Sequence, residues 1–351
     1  MSTADARPAV TRPGPDALDL SSIGVEFFDS DLEASVAASL SAVEAELRAA
    51  VESGDPFITE AARHLVDAGG KRFRPLLVTL GAQFGDPTSP LVVRAAVVME
   101  LTHLATLYHD DVMDEAPVRR GAPSANAKWG NSLAILVGDF LFARAADLAV
   151  DLGSEAVRLQ ARTFARLVQG QIAETVGPRP GVDPVAHYLA VIADKTGSLI
   201  ATSARFGGMF GGAAAPYIDA LERYGETIGV AFQLSDDLLD IASDSSESGK
   251  TPGTDLREGV PTLPVLYALA STDTDAASSR LREILSAGPV VDDDLHAEAL
   301  GLLRESPALK RARETTRRYA DEARSHLASL PDGSARRALE AICDFVADRT
   351  M

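Results

Sequence analysis

Leu-Ala-Thr-Leu-Tyr-His-Asp-Asp-Val-Met-Asp at residues 104–114 and Phe-Gln-Leu-Ser-Asp-Asp-Leu-Leu-Asp at residues 232–240 share one pattern, an apolar run closed by an acid pair and a third acid three positions on. On a helix the outer acids of each cluster, Asp110 and Asp114 or Asp236 and Asp240, lie one turn apart. Asp111 or Asp237 lies beside them, so three carboxylates share a face. Charges packed in this way raise one another's pKa unless a cation neutralises them, and hard carboxylate oxygens suit Mg²⁺. Mg²⁺ keeps several waters and completes its shell with phosphate oxygens. Two such clusters therefore predict a diphosphate held between them.

The competing reading is a solvated acid run, which a chain with 51 acids in 351 residues will produce by chance. Asp292-Asp293-Asp294 is such a run, placed after Ala287-Gly288-Pro289 where a helix should start and its dipole favours acids. The repeated clusters differ in having Leu104, Ala105 and Leu107 on one side and Leu234, Leu238 and Leu239 on the other. A solvated face would not carry so many leucines.

With 46% hydrophobic residues the chain can bury a large core without disulfides. Its single cysteine, Cys343, fits a reducing cytoplasm and excludes an intramolecular disulfide. A formal charge of −18 argues against nucleic acid as a partner. It also means that an anionic substrate needs metal ions or a local basic group, and Gly69-Gly70-Lys71-Arg72-Phe73-Arg74-Pro75 and Arg119-Arg120 supply one. Residues 1 to about 20 lack an apolar stretch and read as a disordered tail, leaving 21–351 as a single domain. Leu91 to Leu107 is interrupted by Arg94, Glu100 and His103, which predicts a buried core helix and no membrane insertion.

Helical periodicity runs through 31–52, 56–70, 74–84, 90–115, 131–151, 154–176, 184–211, 216–242, 263–270, 276–287, 292–303, 307–329 and 334–348, with no period-two run. Ser89-Pro90, Asp183-Pro184 and Ser306-Pro307 each place a capping side chain before a proline at the first helical position. The fold class is all-α. Gln171 and Glu174 share a helix face from which they could support a metal shell, or form only a surface pair.

In order along the chain, the segments 69–75, His103 to Asp111, Arg119-Arg120-Gly121, Gly138-Asp139-Phe140-Leu141, Lys195-Thr196, Phe232 to Asp237 and Gly249-Lys250 resemble those of trans-isoprenyl diphosphate synthases of the polyprenyl synthetase family. The resemblance covers nearly everything from about residue 30 onward. It implies a helical bundle around a central cavity and a cytoplasmic homodimer. It also implies condensation of isopentenyl diphosphate with an allylic diphosphate. By the same resemblance Asp110, Asp111, Asp114, Asp236 and Asp240 carry Mg²⁺, three ions with the allylic diphosphate bound, and Asp237 orders a metal water or a neighbouring cation. Arg119, Lys195 and Lys250 contact the allylic diphosphate, while Lys71, Arg74, His103 and Arg120 bind isopentenyl diphosphate. Lys195, Thr196 and Gln233 face the carbocation.

Ala105 and Thr106, one to one and a half turns before Asp110, are small where short-chain members of the family are usually aromatic. That predicts a long product, hepta- to nonaprenyl diphosphate, with geranylgeranyl or farnesyl diphosphate as the alternative. The enzyme then meets membranes only transiently, at product release. Val260 stands where the family usually has a second lysine, and Arg257 is the candidate to replace it; 243–262 is the candidate lid. A class I terpene cyclase would lack Lys71, Arg74 and Arg120, and a noncatalytic partner subunit would have lost acids from one cluster.

Overall fold

The computed structural model describes residues 29–242 and 252–349. The expected tail, Lys250 and the part of the candidate lid from 243 to 251 lie outside them. Sixteen α-helices hold most of the described residues, with one two-stranded hairpin, β1 (Val118–Arg119) and β2 (Ala122–Pro123).

At the centre stands α4 (Pro90–Met113), whose sequence is apolar on every side and whose buried residues accordingly face all directions. It packs on α3 (Phe73–Ala82), α6 (Asn131–Asp151) and α9 (Ser198–Phe210). It is also the described helix long and apolar enough to cross a membrane, but 72% of that apolar window is buried inside the bundle. α10 (Ala215–Ala242) closes the other side against α9 and α15 (Pro307–His326), and α7 (Ser154–Val176) leans on α9. Both acid clusters fall in the last turns of their helices, α4 and α10, where the helix dipole is negative and further anions are unfavourable. Cations are what these two helix ends favour.

The helix expected over 184–211 has a different middle. It begins as α8 (Pro184–Ile192), widens into a π turn at Ala193–Gly197 and resumes as α9. Close approach on two sides accommodates this turn: a Cβ on Gly170 would lie 2.7 Å from the Lys195 nitrogen, and one on Gly229 would lie 2.8 Å from the Gly197 α-carbon. Such single π turns recur at functional sites because they re-aim side chains, here Lys195 and Thr196. Period analysis had no means of seeing one extra residue in a continuous helix.

Two further short helices, α5 (Ala125–Trp129) and α11 (Thr254–Glu258), were not expected from periodicity. The caps Asp183 and Ser306 accept from Val185 and Leu309 backbone nitrogens as expected, whereas Ser89 makes no side-chain cap bond. Asp292 caps α14 (Asp293–Glu305) by accepting from the Leu295 nitrogen.

Candidate active site

A cavity of about 470 Å³ opens between α3, α4, α7, the π turn, α9 and α10. Lys71, Arg74, His103, Arg119 and Arg120 line one part of it, Asp110, Asp236, Lys195, Thr196 and Gln233 another, and Leu107, Leu167, Leu199 and Ile200 an apolar wall. Residues spread over more than 160 positions of sequence are thus brought to one place.

The cationic side is built on irregular backbone. Arg72 and Arg120 both adopt positive φ, 49° and 52°, and Gly69 and Gly70 precede them at 78° and 136°. A Cβ on Gly70 would lie 2.7 Å from the Arg120 guanidinium carbon, so only glycine lets that side chain lie against the loop. Arg120 donates to the Leu65 carbonyl at 3.1 Å and to the Gly69 carbonyl. Arg72 points inward: it donates to Glu100 at 3.0 Å, to Glu44 and to the Val66 carbonyl at 2.8 Å, and is 3% exposed. Its role is to hold the loop. In the sequence the basic run reads as a unit and Glu100 has no part in it, although an acid in the middle of the most apolar segment is the available signal.

Arg74, two residues on, has a buried Nε with no partner, and burial lowers its pKa to about 10 despite the nearby Glu100. His103 is driven well below its ordinary value, first by burial and then by Arg74 and Arg120. It is therefore a neutral imidazole at pH 7, surrounded by cations. A buried cationic donor without an acceptor and a neutral histidine beside it make an oxyanion site awaiting an oxyanion.

The acidic side divides its carboxylates among different tasks. Asp110 faces the cavity, and burial raises it to about 6, with Lys195 opposing and Asp114 adding to the rise. Asp111 is buried and accepts from Arg119 Nε at 2.6 Å through Oδ1, while its Oδ2 has no partner. Asp114 is exposed at the helix end. In the second cluster Asp236 is paired with Arg349 at 2.8 Å. Arg349 also donates to the Phe232 carbonyl at 3.0 Å and stacks on the Phe232 ring, which in turn stacks on Phe73.

Asp237 differs from what a uniform metal cluster would require. Tyr188 donates to its Oδ2 and Gln233 Nε2 donates to its Oδ1 at 2.9 Å, so both oxygens are engaged away from the cavity. Burial raises its pKa to about 7, against those two hydrogen bonds. Thr196 completes the chain by donating to Gln233 Oε1 at 3.1 Å. Asp237 therefore holds Gln233 and, through it, Thr196 of the π turn. Asp240 accepts from the Thr254 and Asp255 backbone nitrogens at 3.2 and 3.1 Å, capping α11. Neither Tyr188 nor Arg349 was singled out from sequence, because nothing in their local pattern reports a partner some fifty or a hundred residues away.

These residues fit Mg²⁺ as half-sites. Among the described residues no three His, Cys, Asp or Glu side chains close around a single ion. Yet Asp110, Asp114 and Asp236 present hard oxygens on negative helix ends, and Asp111 holds an unpartnered buried oxygen in reserve. An ion that retains waters and borrows phosphate oxygens needs no more. Lys195 donates to Glu174 at 2.5 Å, and Gln171 Oε1 is buried without a partner, so that helix face does turn toward the site.

Arg257 is not in the cavity. It pairs with Asp293 at 2.8 Å and donates to the Val291 carbonyl, so it does not replace the lysine lost at Val260. Thr106 borders the cavity, whereas Ala105 is fully buried outside its lining with its carbonyl near Gly138.

A family model described as polyprenyl synthetase matches residues 55–301. The nonaprenyl diphosphate synthase of Mycobacterium tuberculosis is 52% identical over 93% of this chain and 97% of its own. Among solved structures, the geranylgeranyl pyrophosphate synthase of Corynebacterium glutamicum, crystallised with calcium and isoprenyl diphosphate, aligns with a TM-score of 0.83 at 47% identity, covering 93% of this chain and 99% of that one. A decaprenyl diphosphate synthase from Rhodobacter capsulatus aligns equally well, TM-score 0.83, at 35% identity over 92% and 99%.

Proposed function

Because the chain belongs to the polyprenyl synthetase family, we propose that it condenses isopentenyl diphosphate with an allylic diphosphate, head to tail and repeatedly, to give an all-trans polyprenyl diphosphate of hepta- to nonaprenyl length. The observation that carries this reading is a single cavity with a cationic side, an acidic side and an apolar wall between helices. Two diphosphates of different fate need such a division. The one that must stay intact is held by Lys71, Arg74, Arg120 and neutral His103, which bind oxygens without polarising a carbon–oxygen bond through a metal. The one that must leave is held at Asp110, Asp114 and Asp236.

Bound there, Mg²⁺ would neutralise the departing diphosphate and favour ionisation of the allylic C–O bond. Arg119 and Lys195 add positive charge to the same leaving group, and the partner of Lys195, Glu174, keeps the ammonium in place. Thr196 and Gln233, fixed by Asp237 and Tyr188, present oxygen dipoles toward the electron-deficient carbon. Leu107, Leu167, Leu199 and Ile200 exclude water, which would otherwise capture the cation. The released diphosphate is the base for the final proton, so no protein base is required.

The exposed apolar face of α6, with Leu136 at 62% and Val150 at 65% exposure, supports a homodimer in which a second copy covers that face. Incubation of the purified chain with labelled isopentenyl diphosphate and geranyl or farnesyl diphosphate tests the proposal. Mg²⁺-dependent incorporation into products of 35 to 45 carbons is expected. Cyclic hydrocarbon from the primer alone, or no incorporation, would overturn it.

A further inference from the structure

The apolar end of the cavity is closed by a polar layer. Three helices line that end and descend together from the acidic side, and one turn farther down each of them carries a buried hydroxyl: Thr102 below Thr106 on α4, Thr163 below Leu167 on α7, and Thr202 below Leu199 on α9. Thr163 and Thr202 share a hydrogen bond of 2.6 Å. Thr102 accepts from Gln160 Nε2 at 3.3 Å while donating to the Val98 carbonyl at 2.8 Å. Four polar side chains thus cross the bundle where a hydrocarbon tail would need an apolar path.

Depth gives this layer a meaning. Eight residues of helix separate Thr102 from Asp110, a descent of about 12 Å at ~1.5 Å per residue. Four carbon–carbon bonds of ~1.5 Å give an extended isoprene unit about 4–5 Å. Two to three units fit above the layer, and a seven-unit tail of roughly 30 Å does not.

We propose that the Thr102–Gln160 and Thr163–Thr202 pairs form a polar gate that the growing tail must part, and that this gate, more than Ala105 or Thr106, governs elongation beyond the third unit. The inference rests on the prenyltransferase reading above. Each unit beyond the third gains apolar burial only after hydrogen-bonded groups have been separated, and a buried group left without its partner opposes that gain. Product length should therefore step at the gate.

Replacing both hydroxyls of one pair by a side chain of the same shape removes the bond without leaving an orphan, so Thr163→Val with Thr202→Val is the variant of choice. Affinity is read by calorimetry with unreactive geranyl, farnesyl and geranylgeranyl thiolodiphosphates in Mg²⁺, and product length by mass spectrometry. In the wild type the gain from geranyl to farnesyl should be about tenfold or more, and the gain from farnesyl to geranylgeranyl should nearly vanish. In the double variant the second gain should match the first, and products should lengthen. Thr163→Phe should stop synthesis at three to four units while leaving isopentenyl incorporation intact. Equal gains per unit in the wild type, or unchanged products in both variants, would overturn the gate. The step in affinity without any incorporation would support the gate and count against the proposed function instead.

Discussion

On the cationic side of the cavity, Arg72 and Arg120 sit in left-handed backbone, Arg72 pairs with the buried carboxylate of Glu100, and Arg74 keeps a buried Nε without a partner. On the acidic side, carboxylates sit in the last turns of two regular helices with arginines and a lysine around them. Each side crowds like charges and each is incomplete, but the remedy differs. The arginine side carries part of its own counter-charge and suits an anion, whereas the acid side places like charges on two negative helix ends and suits a cation. The first can hold a diphosphate passively; the second must recruit the group that activates one.

The largest effect should come from breaking the acidic side. Asp110→Ala or Asp236→Ala should lower kcat by about a thousandfold or more, since several kcal/mol of transition-state charge stabilisation pass through the ions they hold. Helix content by circular dichroism should not change, and the metal-free Asp110→Ala protein should melt no lower than the wild type. Retained turnover in either variant would remove the distinction between the two sides.

Two neighbouring arginines sharpen it next. Arg72→Ala strips a buried ion pair of its cation and should cost about 3–5 kcal/mol of stability in denaturant titrations. Arg74→Ala removes a donor that has no protein partner, so stability should hardly move, while the apparent KM for isopentenyl diphosphate rises about ten- to a hundredfold. The KM for the allylic substrate should stay within about twofold in that variant, given the additivity of separate sites. Equal effects of the two substitutions on stability would show that Arg72 does not hold the loop.

A further effect, visible only as a dependence on pH, concerns Asp237. Its pKa in the fold is raised from 3.8 to about 7, so the protonated form favours folding, and that contribution is fully present below about pH 4 and lost as pH rises through 7. Asp237→Asn cannot lose it. Without metal, the stability of the variant relative to wild type should increase between pH 4 and pH 8 by up to about 4 kcal/mol. A difference that is flat with pH would mean that Asp237 is charged in the fold, as a metal ligand would be.

Much of this was legible in the sequence for a physical reason. Helix propensity and periodicity are local, and the boundaries of α4, α6 and α7 follow from apolar spacing, proline and glycine. The acid clusters are local as well, since i and i+4 on a helix guarantee a shared face. What escaped is whatever depends on a distant partner. Asp111 and Asp237 occupy the same place in their motifs, yet Arg119 claims one and Tyr188 with Gln233 claims the other. Arg257 looked available until Asp293, across the connection to α14, took it. The π turn at Lys195 and Thr196 answers to packing against Gly170 and Gly229, which no window of sequence contains.

The division between a passive cationic side and a metal-recruiting acidic side is tested most directly by calorimetry on the whole chain. Unreactive farnesyl thiolodiphosphate and isopentenyl diphosphate are titrated separately, with Mg²⁺ and with chelator. Removing Mg²⁺ should weaken the allylic analogue by about a hundredfold or more, from several kcal/mol of lost ion contacts, and leave isopentenyl diphosphate affinity within about threefold, the change expected from screening alone. Loss of both affinities together, or of neither, would contradict the division.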